Sequence, residues 1–393
     1  MTPRILLVEG SQDGTTGGSH RSLGDLARLL RQRGFDTGTV FYEDNTIAAE
    51  LRGLGVPTLI WADDPVGPGR PSRVPALASG RRQLIRTRSR WRFLTSQDIS
   101  LVHLNNAPTL GYDDWLPAAR LARIPCITHM RGDCTAFMPH DPIGRHLVRS
   151  FDRVIAISEH VADAAEGIGV PRRRIELVYN GIDLAAWRAS VRLSPAAVRE
   201  ALGIAPEAFV VVMVGNLREW KGQHVLLEAL ARLPDATRAG LRVLFVGDVA
   251  RADQPYAERL RRRAEAPQLA PVVTFLGVRS DVADLMNASD LVVHASVDPE
   301  PFGRVLLEAM ALGKPVLAPR LGGPVEVLGR FCESLFEPGS PEDLAAQLCR
   351  IRADATWAAA LGAQARQHAE TFDVSRTVER MASIYRRLLP ARA

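Results

Sequence analysis

Glu300-Pro-Phe-Gly-Arg-Val-Leu-Leu-Glu308-Ala-Met-Ala-Leu-Gly-Lys-Pro-Val316 reads as a loop, a helix from Arg304 to Ala311 and, from Pro315 to Ala318, the start of a buried strand. The glycine of this loop exposes backbone amides. Those near Phe302, Gly303 and Arg304 then lie at the positive end of the helix, where unpaired N–H groups and the dipole attract a diphosphate. Glu308, about one turn further in, suits the hydroxyls of a ribose diol, and Glu300 on the loop suits sugar hydroxyls or the reacting carbon. Taken alone, Arg304 and Glu308 also have the spacing of an exposed helical pair worth about 0.2–0.5 kcal/mol, and Glu300 could be a solvated loop residue.

Outward from this stretch the chain alternates short apolar runs with helix-period segments. Strands are expected at Ile5 to Val8, Thr37 to Tyr42, Leu101 to Leu104, Cys126 to Met130 and Arg153 to Ile157. The second half repeats the theme at Val210 to Val214, Arg242 to Val246, Val272 to Leu276, Leu291 to His294 and Pro315 to Ala318. This pattern is that of α/β layers with parallel sheets built from βαβ units. At 393 residues the chain is long enough for two domains, each with its own core. The turn-forming Asn180-Gly181 and the weakly periodic region from Trp187 to Pro195 place their boundary near 185–200. A last helical pattern follows Phe372-Asp-Val.

Composition narrows the function. Hydrophobic residues make up 46% and charged residues 24%, as in soluble globular proteins, and no apolar run reaches the ~20 residues that span a bilayer. The first residues, Met-Thr-Pro-Arg-Ile-Leu-Leu-Val, enter a strand directly, so a cytoplasmic location is expected. Cys126, Cys134, Cys332 and Cys349 lack CxxC spacing and read as free thiols. The net charge of +5 comes from arginines dispersed among 44 acids, without a nucleic-acid module or aromatics along a basic stripe, so nucleic acid is not an expected partner. One local exception is 69–92, where Arg70, Arg73, Arg81, Arg82, Arg86, Arg88, Arg90 and Arg92 occur without an acid beside Leu84, Ile85, Trp91 and Phe93. That segment is either a basic surface for anionic lipid at the inner face of a membrane or a solvated loop and helix face.

Several loops could carry chemistry. Gly14-Thr-Thr-Gly17-Gly18-Ser19-His20-Arg21 leads from the first strand into a helix from about Ser19 to Arg33 that Gly34 closes. Its spacing is not the G-x-G-x-x-G of dinucleotide enzymes, and no acid stands clearly at the end of the second strand, which disfavours a dehydrogenase. Val214-Gly-Asn216-Leu-Arg218-Glu-Trp-Lys221-Gly222 follows a buried-type strand and sets cations at its carboxyl end. Lys221, one of two lysines, suits a diphosphate leaving group. His129 ends the strand Ile124-Pro-Cys-Ile-Thr-His-Met just before Arg131-Gly-Asp133, and His103, Asn105 and Asn106 end the preceding one.

Glu-x7-Glu with an internal Pro-Phe-Gly, ahead of Ala-Met-Ala-x-Gly-x-Pro-Val, closely resembles the signature of the retaining glycosyltransferases of family 4. Further matches fall in the same order: the Gly17-Gly18 loop, Val178-Tyr-Asn-Gly-Ile-Asp183, Phe245-Val-Gly247, Val273-Thr-Phe-Leu-Gly277, Ala288-Ser-Asp290 and Gly322-Gly323-Pro-Val-Glu326. The resemblance covers nearly all of the second half and the first half in outline. It implies a GT-B fold of two facing Rossmann-like domains: an acceptor-binding domain over 1–190, a nucleotide-sugar-binding domain over 191–373, and a C-terminal helix over 374–393 that returns to the first.

It implies a retaining, hexosyltransferase-like enzyme of glycan or polysaccharide biosynthesis that takes a nucleoside-diphosphate sugar as donor and a saccharide, lipid-linked or small-molecule acceptor. Catalytic roles fall to His129, Glu300, Lys221 and Arg218. Donor contacts fall to Gly17, Gly18, Asn216, Val278, Arg279, Phe302, Gly303, Arg304 and Glu308. Ser19, His20, His103, Asn105, Asn106 and Arg131 are acceptor-side candidates. The family usually has arginine where this chain has Asn216, and Arg218 is the residue that could replace that charge. No cofactor or metal is expected. Competing readings are a sugar-nucleotide epimerase on the same fold and a non-catalytic nucleotide-sugar-binding protein.

Overall fold

Runs that are apolar on both faces form the strands. The computed structural model of the chain describes residues 2–10, 18–61, 76–105, 114–132, 142–329 and 331–389, with the backbone alone over 76–82 and 142–145. The first sheet contains β1 (Arg4–Glu9), β2 (Asp36–Phe41), β3 (Thr58–Ile60), β4 (Ile99–Asn105), β5 (Cys126–Met130), β6 (Arg153–Ala156) and β7 (Ile175–Leu177), in the order β3-β2-β1-β4-β5-β6-β7. The second contains β8 (Phe209–Val214), β9 (Leu241–Val246), β10 (Val273–Gly277), β11 (Leu291–Val293), β12 (Val316–Pro319) and β13 (Leu335–Phe336), in the order β10-β9-β8-β11-β12-β13. All these pairings are parallel. Parallel neighbours require crossovers, which the intervening helices supply, and helices on both faces explain the unbroken apolar character of the central strands.

The alternation of side chains along β8 feeds two cores. Val211 and Met213 pack with Val225, Leu226, Val243 and Phe245, whereas Val210 and Val212 pack with Val198, Leu244 and Leu285. In each sheet the chain winds outward in one direction, then returns to the other side of its first strand. The carboxyl ends of β1 and β4, and of β8 and β11, therefore flank the crevice where doubly wound sheets bind ligands.

The chain divides into two compact units, Met1–Gly181 with Val374–Ala393, and Ile182–Asp373. The sequence reading put the boundary at 190/191. Trp187 and Arg188 nevertheless bond within the second unit: Trp187 Nε1 donates to the Glu308 carbonyl at 2.8 Å and Arg188 Nε to that of Ala311 at 2.9 Å. The helix Val374–Leu388 belongs to the first unit. Its Val378, Met381, Ala382 and Tyr385, at helical spacing, join Ile5, Leu23, Leu30 and Ile155 in one core.

Candidate functional site

In the second unit the turn after β8 and the segment after β11 converge. Gly222 ends the 3-10 turn Glu219–Lys221 with φ 71°, and a Cβ there would lie 1.8 Å from the Ala295 carbonyl oxygen, so glycine lets this turn approach the end of β11. Lys221 is thereby set against the loop that carries Glu300. Nζ lies 2.5 Å from Glu300 Oε2, the two side chains are 18% and 14% exposed, and Nζ also lies 4.1 Å from the centre of the Trp220 ring. Ser296 Oγ donates to the same oxygen at 3.3 Å, and His294 Nε2 stands 3.7 Å from it. Burial pushes the Glu300 carboxyl pKa up, but the neighbouring Lys221 and His294 and the bonds from Lys221 and Ser296 outweigh it, leaving the group below its ordinary value. His294 is lowered to about 4, chiefly by burial, so its ring is neutral at physiological pH.

The sequence reading singled out Lys221 and Glu300 for separate tasks, and the structure joins them. His294 and Ser296 escaped it. The only available signal was His294 at the carboxyl end of a predicted strand, a position many structural histidines share.

The helix Arg304–Ala311 forms where expected, beginning after Gly303 at φ 92° with no side chain capping its start. Within this first turn Leu306 N donates to the Gly303 carbonyl at 3.0 Å. Gly322 and Gly323 bring a second loop against this one: Gly323 N donates to the Glu300 carbonyl at 2.8 Å, and a Cβ at Gly323 would lie 2.4 Å from Phe302 Cα. The Phe302 side chain is buried, with its ring 6.0 Å from Phe372. Arg304 and Glu308 are half-buried.

Other donor-side candidates are placed differently. Arg218 is directed to Asp253, with Nε 3.3 Å from Oδ2, rather than being held in the Lys221 cluster. Asn216 is exposed, its carbonyl accepting from Gln223 Nε2. Arg279 forms two bonds to Asp281, at 2.8 and 2.6 Å, which raise its pKa and hold it at the surface. Val278 is 71% exposed at a cavity of about 240 Å³ at the carboxyl ends of β8, β9 and β10, which Leu217, Gly247, Asp248, Gln254 and Gly277 also line.

In the first unit the switch-point residues form a buried polar network. Arg131 donates to Asn105 Oδ1 at 2.8 Å and to Asn180 Oδ1 at 2.7 Å, and Asn105 Nδ2 donates to Glu9 Oε2 at 2.5 Å and to the Ser19 carbonyl at 3.2 Å. His129 is 1% exposed, its ring stacked on His103 at 5.4 Å, and His103 Nδ1 lies 2.6 Å from the Tyr385 hydroxyl. Burial first, then the Arg131 charge, lowers both imidazoles, His103 to about 3, so both are neutral. His20 is buried against Phe41, and Ser19 and the exposed Gly18 stand in the same first turn of their helix. Gly17 and Asn106 lie outside the described residues.

Among the described residues of the arginine-rich segment, the arginines divide between the inside and the outside of the helix. Arg90 is 2% exposed, over the Trp61 ring at 4.0 Å, and Arg86 turns inward to within 3.8 Å of Asp114. Helical periodicity puts these two on the inner side of the helix Ala76–Ser96 and leaves Leu84, Ile85, Arg88 and Arg92 outside. Arg70, Arg73 and the side chains of Arg81 and Arg82 lie outside the described residues. Among the described residues, no helix is long and apolar enough to cross a membrane and no group of three His, Cys, Asp or Glu is placed to hold a metal ion. Cys126, Cys332 and Cys349 are free; Cys134 lies outside the described residues.

Two parallel-sheet units, one with a cation, a carboxylate and a helix start that no side chain caps at its switch point, define a Rossmann-like protein of the GT-B class. The chain matches the family profile described as "Glycosyltransferase Family 4" over residues 16–186 and that described as "Glycosyl transferases group 1" over residues 196–368. It belongs to family 4 of the glycosyltransferases. It is 31% identical over 242 residues to the D-inositol 3-phosphate glycosyltransferase of Corynebacterium urealyticum, covering 60% of this chain and 56% of that one. The protein of the same name from Rhodococcus jostii is 34% identical over 250 residues, 62% of this chain and 54% of that one. The chain thus spans about half the length of these curated relatives. The crystal structure of Anabaena Alr3699/HepE in complex with UDP superposes with a TM-score of 0.81 at 27% identity, covering 98% of this chain and 100% of that one. Its UDP-glucose complex superposes at 0.79 with the same identity and coverage.

Proposed function

We propose that this protein is a retaining glycosyltransferase that moves a hexosyl group from a UDP-sugar to a hydroxyl of a saccharide, polyol phosphate or lipid-linked acceptor in glycan or polysaccharide assembly. The observation that carries the reading is the meeting of Lys221, Glu300 and the uncapped helix start after Gly303 at the switch point of the second sheet. Departure of UDP develops negative charge on phosphate oxygens and positive charge on the sugar. Lys221 and the amides following Phe302 stabilise the first, and Glu300 orients the sugar. Glu308 takes the ribose hydroxyls, and the base lodges in the cavity beside Val278.

The uracil assignment is supported by the UDP and UDP-glucose complexes of the similar Anabaena protein, and the polyol-phosphate acceptor by the name of the curated relatives. The acceptor falls to the first unit, around Arg131, Asn105 and Ser19, where the neutral His103 and His129 support the strand ends without carrying charge themselves. The outward stripe of Leu84, Ile85, Arg88 and Arg92 supports peripheral contact with an anionic membrane, at its cytoplasmic face.

The test incubates the protein with UDP-hexoses and a panel of polyol phosphates and oligosaccharides, following UDP release and product mass. Acceptor-dependent UDP release with a product one hexose heavier is expected. Consumption of donor without an acceptor would point instead to an epimerase, and binding without turnover to a nucleotide-sugar-binding protein.

A further inference from the structure

The ammonium that the proposed reaction needs at the diphosphate is held here by Glu300. A ligand that draws Lys221 away removes the strongest partner of a carboxylate that is 14% exposed, and a buried charge left unpaired is costly. A replacement stands beside it. His294 is 2% exposed, its Nε2 is buried with no hydrogen-bond partner, and that nitrogen lies 3.7 Å from the Glu300 oxygen that Lys221 occupies. The separation is too long for a hydrogen bond and short enough for a small side-chain movement to make one. Ser296 already donates to this oxygen, and among the described residues no hydrogen bond is made to Oε1.

We propose that His294 is a positioning residue that takes over Glu300 as the donor diphosphate withdraws Lys221. In the tautomer with hydrogen on Nε2, the neutral ring closes on Oε2 as Nζ leaves, and no proton changes owner. Two unfavourable groups, an orphaned N–H and an abandoned carboxylate, satisfy each other. Oε2 stays clamped by His294 and Ser296 while Oε1 remains available to the sugar hydroxyls. Capture of the diphosphate and orientation of the sugar-facing carboxylate are thus linked through one histidine. The inference rests on the reading of Lys221 as a diphosphate ligand.

The test is a double-mutant cycle on the full chain, with UDP dissociation constants measured by calorimetry for wild type, His294→Phe, Glu300→Gln and the double variant. His294→Phe should weaken UDP about tenfold when Glu300 is present and less than about twofold in the Glu300→Gln background, where no carboxylate awaits a partner. His294→Gln, which keeps an N–H near the position of Nε2, should stay within about threefold of wild type. A readout that needs no change at His294 is the imidazole N–H proton resonance, which should move downfield on adding UDP to wild type and not in Glu300→Gln. Equal losses in both backgrounds, or a resonance indifferent to UDP, would overturn the inference alone. Absence of UDP binding by wild type would overturn the reading of Lys221 and the inference with it.

Discussion

Glu300 and Lys221 are 79 residues apart in sequence and share one hydrogen bond. The carboxyl pKa is depressed in the fold, so its ionised form contributes stability that is present above the ordinary value of 4.5 and lost as pH falls through the lower folded value. Urea unfolding of wild type and Glu300→Gln should therefore show a stability gap at neutral pH that closes on the acid side of 4.5; a gap independent of pH would contradict the ion pair. Lys221→Ala should slow transfer at saturating donor by about 10²-fold, the scale of losing one group that stabilises developing charge. A variant that keeps its full rate at saturating donor would remove Lys221 from the leaving-group role. Sequence pattern marks both residues, because a rare lysine after a buried strand and a carboxylate before a loop glycine and a helix start are local signals. Their mutual bond and His294 are not local: they depend on which strand ends the topology makes adjacent.

Among the elements, the helix Val374–Leu388 makes a specific contribution to the first unit. Tyr385 is fully buried, and its hydroxyl is the hydrogen-bond partner of His103 Nδ1. Tyr385→Phe keeps the ring and strands that nitrogen, so chemical unfolding should show a loss of about 1–3 kcal/mol. A variant as stable as wild type would contradict the bond. The amphipathic spacing of this helix is plain in the sequence, whereas the core it enters is set by tertiary packing. The long apolar strands are equally plain. By contrast, β7 is three half-exposed residues at a sheet edge and β13 is Leu335–Phe336 alone, too short for any periodicity to show. Which side each arginine of the basic segment takes was not legible, because arginine composition does not reveal side. Only the helical phase turns Arg86 and Arg90 toward Asp114 and the tryptophans.

At the scale of the whole molecule, the parallel α/β class and its duplication follow from the alternation of strand and helix patterns. The division falls at Gly181–Ile182 because the segment carrying Trp187 and Arg188 bonds to the backbone of the helix Arg304–Ala311. The central claim is that the second unit holds a nucleoside diphosphate at this helix, with Glu308 on the ribose. The most direct test is the thermal unfolding of the full chain with UDP, GDP, ADP, CDP and dTDP, with and without magnesium. At about a hundred times its dissociation constant a ligand contributes about 2.7 kcal/mol, a shift of several degrees. Selective stabilisation by UDP without magnesium, lost in Glu308→Ala, is the result the account predicts. An unchanged midpoint with every nucleotide, or an undiminished shift in Glu308→Ala, would contradict it.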